Sequence, residues 1–376
     1  MLARLFNRVS PGLKFRGFQV LSRIAGAIPL KLTYAVAVLI GDFIYYFWHE
    51  HSRNAVSNMR HVLGPDASER AVHHTARSSF RNYAKTLSDF IRFPYTTASE
   101  IDRRLVRHHG LELMEQALAG GKGLIAVTGH LGNWDFAGAF MGKLGIPMYA
   151  LADKIEPPEL DALVIQTRLR NGLQIIKMEA GSMRHIFEAL RRNEVVFLLV
   201  DRPMPDEGIP VTFFGETAWL PSGPAAIALK TGAPILIGSC LRLRGNVRYV
   251  GGIETLPEYK HLLTGNKQDD IRVVTQAIAT ALEGLIRRAP NQWYMFRPMW
   301  PSPAIAAELA EAPQEKRRRA RRLLRAVRTR QSINRLRARF RVESAPDTEL
   351  TGTALGISVD PPDVEDWVGG RGTGEH

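Results

Sequence analysis

Gly129-His130-Leu131-Gly132-Asn133-Trp134-Asp135 sets an imidazole five residues before a carboxylate, directly after the apolar run Gly123-Leu124-Ile125-Ala126-Val127-Thr128. Histidine has an ordinary pKa of about 6.5, so near neutral pH it can take a proton from a hydroxyl, and a carboxylate beside it fixes the tautomer and stabilises the imidazolium. No serine or cysteine stands in an obvious pairing with His130, so the hydroxyl is the substrate's own. The plainer alternative is that His130 closes a turn and Asp135 stabilises a helix N-terminus.

Which elements would hold such a pair? Residues 124–128 read as a buried strand and 133–144 as a helix with Asn133 as its N-cap, which puts His130 on the turn between them. On one continuous helix, five steps of about 100° would set His130 and Asp135 on different faces. A strand-to-helix turn removes that problem. Gly129 and Gly132 can take backbone angles closed to other residues, and the expectation is that Asp135, in the first helical turn, reaches an imidazole nitrogen. A second charged pair, Asp201-Arg202, ends the apolar run Val195–Val200, a central-strand pattern. The carboxyl end of a strand in an α/β sheet is where ligands bind, so both are candidate substrate contacts, although an Asp-Arg pair can also be a simple loop salt bridge.

The remaining pattern alternates strands with helices. Strands are expected at 124–128, 148–151, 174–176, 195–200, 235–241 and 247–253, and helices near 111–119, 133–144, 158–171, 182–191, 224–231 and 269–288. An earlier helix at 67–93 carries Ala71, Phe80, Tyr83, Leu87 and Phe90 near helical spacing. The expected fold class is α/β, a mixed sheet flanked by helices, with an N-terminal helical membrane-associating region. The organisation expected is 1–100 helical and membrane-associating, 101–303 catalytic, and 304–376 a basic arm and tail.

Composition removes several chemistries. Cys240 is the one cysteine among 376 residues, so neither an internal disulfide nor a Cys-rich zinc site can form. His49-Glu50-His51 lacks helical zinc spacing, and His73-His74 and His108-His109 are adjacent pairs that face apart, so no metal is expected. No Gly-x-Ser-x-Gly elbow and no phosphate-binding Gly-Lys-Ser/Thr loop is present.

Charge marks both ends. The segment from Lys316 to Arg341 holds thirteen basic residues and no acid, which equals the whole net charge of +13. Its apolar residues fall on two offset helical faces, as in a surface-lying cationic arm that binds anionic lipid or nucleic acid. Arg4, Arg8, Lys14, Arg16, Arg23 and Lys31 precede the first acid, Asp42, and 32–47 is apolar apart from that aspartate. Sixteen residues fall short of the roughly 20 that span a bilayer. The run reads as an interfacial or shallowly inserted helix, with Tyr34, Tyr45, Tyr46 and Trp48 suited to the headgroup zone, or else as a buried core helix.

The His130 motif resembles the signature of the bacterial lysophospholipid-type acyltransferase superfamily. It is closer still to the lipid A late acyltransferases of lauroyl/myristoyl type and to the phosphatidylinositol mannoside acyltransferases. The ordered landmarks Arg168 before Gly172, Val200-Asp201-Arg202-Pro203, Val211-Thr212-Phe213-Phe214-Gly215, Pro221-Ser222-Gly223-Pro224-Ala225 and Pro290-Asn291-Gln292-Trp293-Tyr294 extend the likeness over roughly residues 20 to 300.

The resemblance implies a glycerol-phosphate-acyltransferase-like fold and a hydrophobic acyl pocket. It implies His130 as the base on an acceptor hydroxyl with Asp135 as its partner, and direct attack on a thioester of acyl carrier protein or coenzyme A. No other cofactor is implied. Asp153 falls where relatives often carry glutamate, and Arg168 falls where they carry an arginine, a residue whose planar fork suits phosphate. Asn133 joins these as a candidate substrate contact, and N–H groups of the helix start after Gly132 are candidate oxyanion donors. The implied partners are a glycolipid acceptor such as a lipid A precursor and the acyl thioester; the cationic arm adds anionic membrane lipid, and the basic flanks of 32–47 favour the cytoplasmic face of a bacterial inner membrane, the side on which acyl thioesters are available. A mannosylated phosphoinositide or a lysophospholipid is the alternative acceptor. A non-catalytic membrane adaptor would explain only the two charged ends, and a nucleic-acid binder only the arm.

Overall fold

The computed structural model describes residues 11–300, apart from 156–157, 180, 205–207 and 246. The basic segment 316–341 and the tail expected after it lie outside the described residues. Among the described residues four helices come first: α1 (Pro11–Ala27), α2 (Leu30–Phe47), α3 (His49–Leu63) and α4 (Glu69–Arg92). Pro29 and Trp48 break the apolar run from its neighbours, and Ser68 caps α4 by accepting the Ala71 N–H. Then follow α5 (Ala98–Arg104), β1 (Leu105–His109), α6 (Leu111–Ala119), β2 (Leu124–Thr128), α7 (Trp134–Lys143), β3 (Met148–Ala152), α8 (Pro158–Arg170), β4 (Leu173–Lys177), α9 (Ser182–Arg191) and β5 (Val195–Leu199). A hairpin of β6 (Ile209–Phe213) and β7 (Glu216–Leu220) leads to α10 (Gly223–Thr231), β8 (Ile235–Arg242), β9 (Tyr249–Thr255) and α11 (Lys267–Arg288).

Seven strands form one mixed sheet in the order β1-β9-β8-β2-β5-β3-β4, in which β8 and β9 pair antiparallel and the other neighbours parallel. This is the α/β class expected from the sequence. Because side chains alternate across a strand, β2 sends Ile125 and Val127 to one core and Leu124 and Ala126 to the other. Helices α3, α9, α10 and α11 cover the first face, and α6 and α7 the second. The expected strands and helices of the catalytic region are all present. The sequence reading missed β1 and the β6–β7 hairpin. The hairpin turns through Phe214 (φ 52°) and Gly215 (φ 82°), a two-residue turn with both central residues left-handed, and a phenylalanine in the first position hides the usual Asn-Gly signal.

Helix α2 lies lengthwise on α4. Tyr34, Ala37 and Gly41 are buried, and a Cβ at Gly41 would meet the α4 backbone of Arg81 at 2.7 Å. Asp42 is held by both Arg77 (2.8 Å) and Arg81 (2.5 Å). Leu32, Val36, Leu39, Ile40, Phe43 and Phe47 point outward and are exposed.

Candidate active site

The site is built from the carboxyl ends of two neighbouring parallel strands. β2 and β5 pair with Thr128 opposite Leu199, so the second residue beyond each end, His130 and Asp201, arrives at the same level. His130 Nδ1 lies 2.5 Å from Asp201 Oδ1. The other carboxylate oxygen, Oδ2, accepts the His130 backbone N–H at 2.7 Å and the Trp293 indole Nε1–H at 2.8 Å. Asp201 is fully buried and His130 is 8 % exposed, so the pair works in a medium poorer than water in dielectric screening. With a Nδ1–H donated to Asp201, the basic lone pair of the ring sits on Nε2.

The turn itself is held by segments distant in sequence. Gly132 N–H donates to Gln292 O at 2.9 Å, Asn133 N–H to Cys240 O at 2.8 Å, and Tyr294 N–H to His130 O at 2.7 Å. Gly132 has φ 71°, and any Cβ there would fall 2.2 Å from Cys240 O, so only glycine fits. Gly129 is glycine for a different reason: its φ is ordinary, but a Cβ would meet Asp201 Oδ2 at 2.8 Å. The space beside the turn belongs to the carboxylate.

Asp135 does not meet the imidazole, contrary to the sequence expectation. Helix α7 begins at Trp134, whose ring packs edge-on against His130 with centroids 5.9 Å apart, and the Asp135 side chain one residue later leaves on another face. It binds Arg168 of α8 instead, with Nε at 2.9 Å from Oδ1 and Nη2 at 3.5 Å from Oδ2. Both groups are buried. Burial pushes the Asp135 carboxyl above the ordinary range, with the Arg168 charge opposing it. Arg168 is thus engaged by a protein carboxylate rather than held open as a phosphate fork. The two border a small surface cleft lined also by Phe90, Phe93, Ala139, Thr167, Asn171 and Leu173.

The other expected contacts sort as follows. Asn133 is the N-cap of α7, as expected, with Oδ1 accepting Phe136 N–H at 2.9 Å. Its amide nitrogen is also spent, on Asp89 Oδ2 (3.1 Å) and Tyr249 Oη (2.8 Å), and the residue is fully buried, so a substrate role for its side chain is corrected to a structural one. The backbone N–H groups of Gly132 and Asn133 are bonded within the protein and are not oxyanion donors. Asp153 and Arg202 form a half-exposed pair at 2.5 Å, because β3 neighbours β5 and both follow their strand ends. Asp201, expected at the substrate, serves the imidazole.

Sequence reasoning missed a buried polar cluster behind the turn. Asp89 Oδ1 takes Arg104 Nη2 at 2.7 Å, and Oδ2 accepts from Tyr34 Oη (2.6 Å), Arg242 Nη2 (3.2 Å) and the Tyr249 hydroxyl. Burial alone would raise the Asp89 carboxyl, and the charges of Arg104 and Arg242 with the tyrosine hydrogen bonds outweigh it and hold it low. Gln292 clamps the edge of this cluster, pairing with both the N–H and the C=O of Arg242 at 2.8 Å. Arg242 at the end of the apolar run 235–241 gave a local hint of a buried charge, whereas Asp89 lies in a charged helix with Lys85 and Arg92 nearby and gave none. Among the described residues no group of three or more His, Cys, Asp or Glu could hold a metal.

A family model described as bacterial lipid A biosynthesis acyltransferase matches residues 12–302. Two phosphatidylinositol mannoside acyltransferases of Mycobacterium tuberculosis, from strains CDC 1551 / Oshkosh and H37Rv, are each 29% identical over 262 residues, covering 68% of this chain and 79% of theirs. A protein of the same name from Mycolicibacterium smegmatis is 26% identical over 246 residues, covering 65% and 77% respectively.

Proposed function

This chain belongs to the bacterial lipid A biosynthesis acyltransferase family and is an O-acyltransferase; on that premise we propose that it moves a fatty acyl chain from a thioester to a hydroxyl of a glycolipid, with His130 as general base and Asp201 as the carboxylate that orients it. The observation that carries the reading is the 2.5 Å contact of His130 Nδ1 with Asp201 Oδ1 at the sheet's carboxyl edge.

The acceptor hydroxyl gives its proton to His130 Nε2 as its oxygen attacks the thioester carbonyl carbon. The tetrahedral intermediate then collapses, the C–S bond breaks, and the thiol leaves with the proton carried by the imidazolium. Asp201 stabilises that imidazolium and prevents the ring from turning, while remaining a carboxylate itself. The donor is acyl carrier protein or coenzyme A thioester. For the acceptor, the relatives named phosphatidylinositol mannoside acyltransferases favour a mannosylated phosphoinositide over a lipid A precursor as the first compound to assay.

The protein works at the cytoplasmic face of the membrane, where acyl thioesters are made, with α2 lying in the interface. Helix α2 has the length and composition to cross a bilayer, with a mean hydropathy of 1.4 over 18 residues. Its fixed position along the charged helix α4 favours a flat, shallow seat with the outward apolar face in lipid.

Incubating the protein with labelled acyl thioester, anionic vesicles and candidate glycolipids, followed by mass identification of the product, tests the proposal. Transfer is expected, and His130→Ala is expected to abolish it while keeping the unfolding temperature within a few degrees. Near-normal transfer by that variant would refute the assignment.

A further inference from the structure

Helix α2, whose outer face is exposed and apolar, sends the Tyr34 phenol into the buried polar cluster. Tyr34 is 6 % exposed, and its hydroxyl donates to Asp89 Oδ2 at 2.6 Å while accepting from Arg104 Nη2 at 2.8 Å. The same Asp89 oxygen accepts the Asn133 amide at 3.1 Å, and Asn133 caps α7 through Phe136 N–H. Two hydrogen bonds therefore lead from the apolar helix to the residue that starts α7, three positions from His130. Two other polar groups of α2 meet α4 away from this cluster: Asp42 at Arg77 and Arg81, and the Tyr45 hydroxyl at His73 Nδ1, 2.9 Å away. None of the groups on the Tyr34 path takes part in the transfer chemistry described above. Stability alone gives little reason for them, since a buried ionic cluster is often matched or bettered by apolar packing, whereas a hydrogen-bonded one fixes a single geometry.

We propose that Tyr34 is a positioning residue for acyl transfer: through Asp89 and Asn133 it ties the seating of the membrane-facing helix α2 to the geometry of the His130 turn. The proposal deepens the acyltransferase reading and rests on it for its kinetic arm. Loss of this one hydroxyl would loosen the turn at the helix cap and lower the fraction of molecules in which His130 is aligned, without changing how the acyl donor is held.

The test compares Tyr34→Phe, which keeps the ring and removes only the hydroxyl, with Thr33→Ala, which removes a neighbouring hydroxyl whose partner is Pro29 O of its own chain turn. Amide hydrogen exchange of segments 129–137 and 195–199 is measured in the full-length protein. The kcat and the KM for acyl thioester are measured with anionic vesicles carrying the acceptor. In Tyr34→Phe, exchange over 129–137 is expected to rise about tenfold with 195–199 unchanged, and kcat to fall about tenfold at constant KM, the effect of losing roughly 1.4 kcal/mol. Thr33→Ala is expected to match the wild type. Wild-type exchange and turnover in Tyr34→Phe overturn the proposal, and so does equal acceleration of both segments, which marks general loosening. If Tyr34→Phe does not fold, Gly41→Ala replaces it: its Cβ would fall 2.7 to 2.8 Å from the α4 backbone at Phe80 and Arg81, lifting α2 without touching the cluster, and the same signature is expected. A wild-type protein that transfers nothing to any lipid sinks the functional reading alone, and the exchange measurement then decides the positioning claim by itself.

Discussion

His130 and Asp201 stand 71 positions apart in sequence and 2.5 Å apart in space, because each is the second residue past the end of one of two adjacent parallel strands. The carboxylate that is near in sequence, Asp135, is the one that turns away.

This pairing separates the two carboxylates experimentally. Asp201→Asn keeps the shape but no longer holds the imidazole in the right tautomer, so kcat is expected to fall by roughly 10³-fold or more with a small change in KM. Asp135→Asn removes the carboxylate that pairs with the buried Arg168, and should lower stability while leaving kcat near the wild-type value. Steady-state kinetics and urea unfolding on both variants check the assignment. The reverse pattern, with Asp201→Asn active and Asp135→Asn stable but dead, would restore Asp135 as the partner.

Trp293 donates to Asp201 Oδ2 from a fully buried ring. Trp293→Phe keeps most of the packing and removes the donor. Losing a hydrogen bond to a charged group costs about 1.5–3 kcal/mol, so kcat/KM should fall about ten- to a hundredfold. Single-turnover rates that match the wild type would show that the indole only fills space.

The Asp89 cluster makes stability fall in acid. The folded Asp89 carboxyl is held below its ordinary range, so below about pH 4 the unfolded chain binds protons first. Its contribution is present above that pH and is lost as pH falls through and below it. Urea midpoints between pH 7 and pH 3 should drop steeply in the wild type. Asp89→Asn should start about 3–5 kcal/mol lower at pH 7 and show a shallower slope, the remainder coming partly from Asp42, which Arg77 and Arg81 also hold low against its desolvation. Parallel slopes in the two proteins would remove Asp89 from this role.

Leu39 is 68 % exposed and Phe43 47 %, on the outer face of α2. Burying such a side chain in an apolar medium is worth about 1.5–3 kcal/mol, so Leu39→Ser with Phe43→Ser should weaken vesicle binding by at least about tenfold while leaving the unfolding temperature unchanged. Cosedimentation with anionic vesicles measures this, and undiminished binding would mean that α2 is not the seat.

Much of the molecule was legible in its residues. Four apolar residues and a threonine before Gly129 and an asparagine at 133 are local signals, and they gave β2, the turn and the cap of α7, because strand burial and capping act over a few residues. The presence of a base at His130 followed from the same stretch. Which acid serves it did not, since that depends on β2 lying beside β5 in a particular register, a fact set by how the whole sheet packs. The same holds for Trp293, brought to Asp201 by the segment after α11, and for Tyr34, an apparent headgroup residue that turns inward because α2 packs along α4. Local pattern determines what each segment is; only the tertiary arrangement decides which distant groups meet, because hydrogen bonds between strand ends and helices are chosen by the packing that buries them.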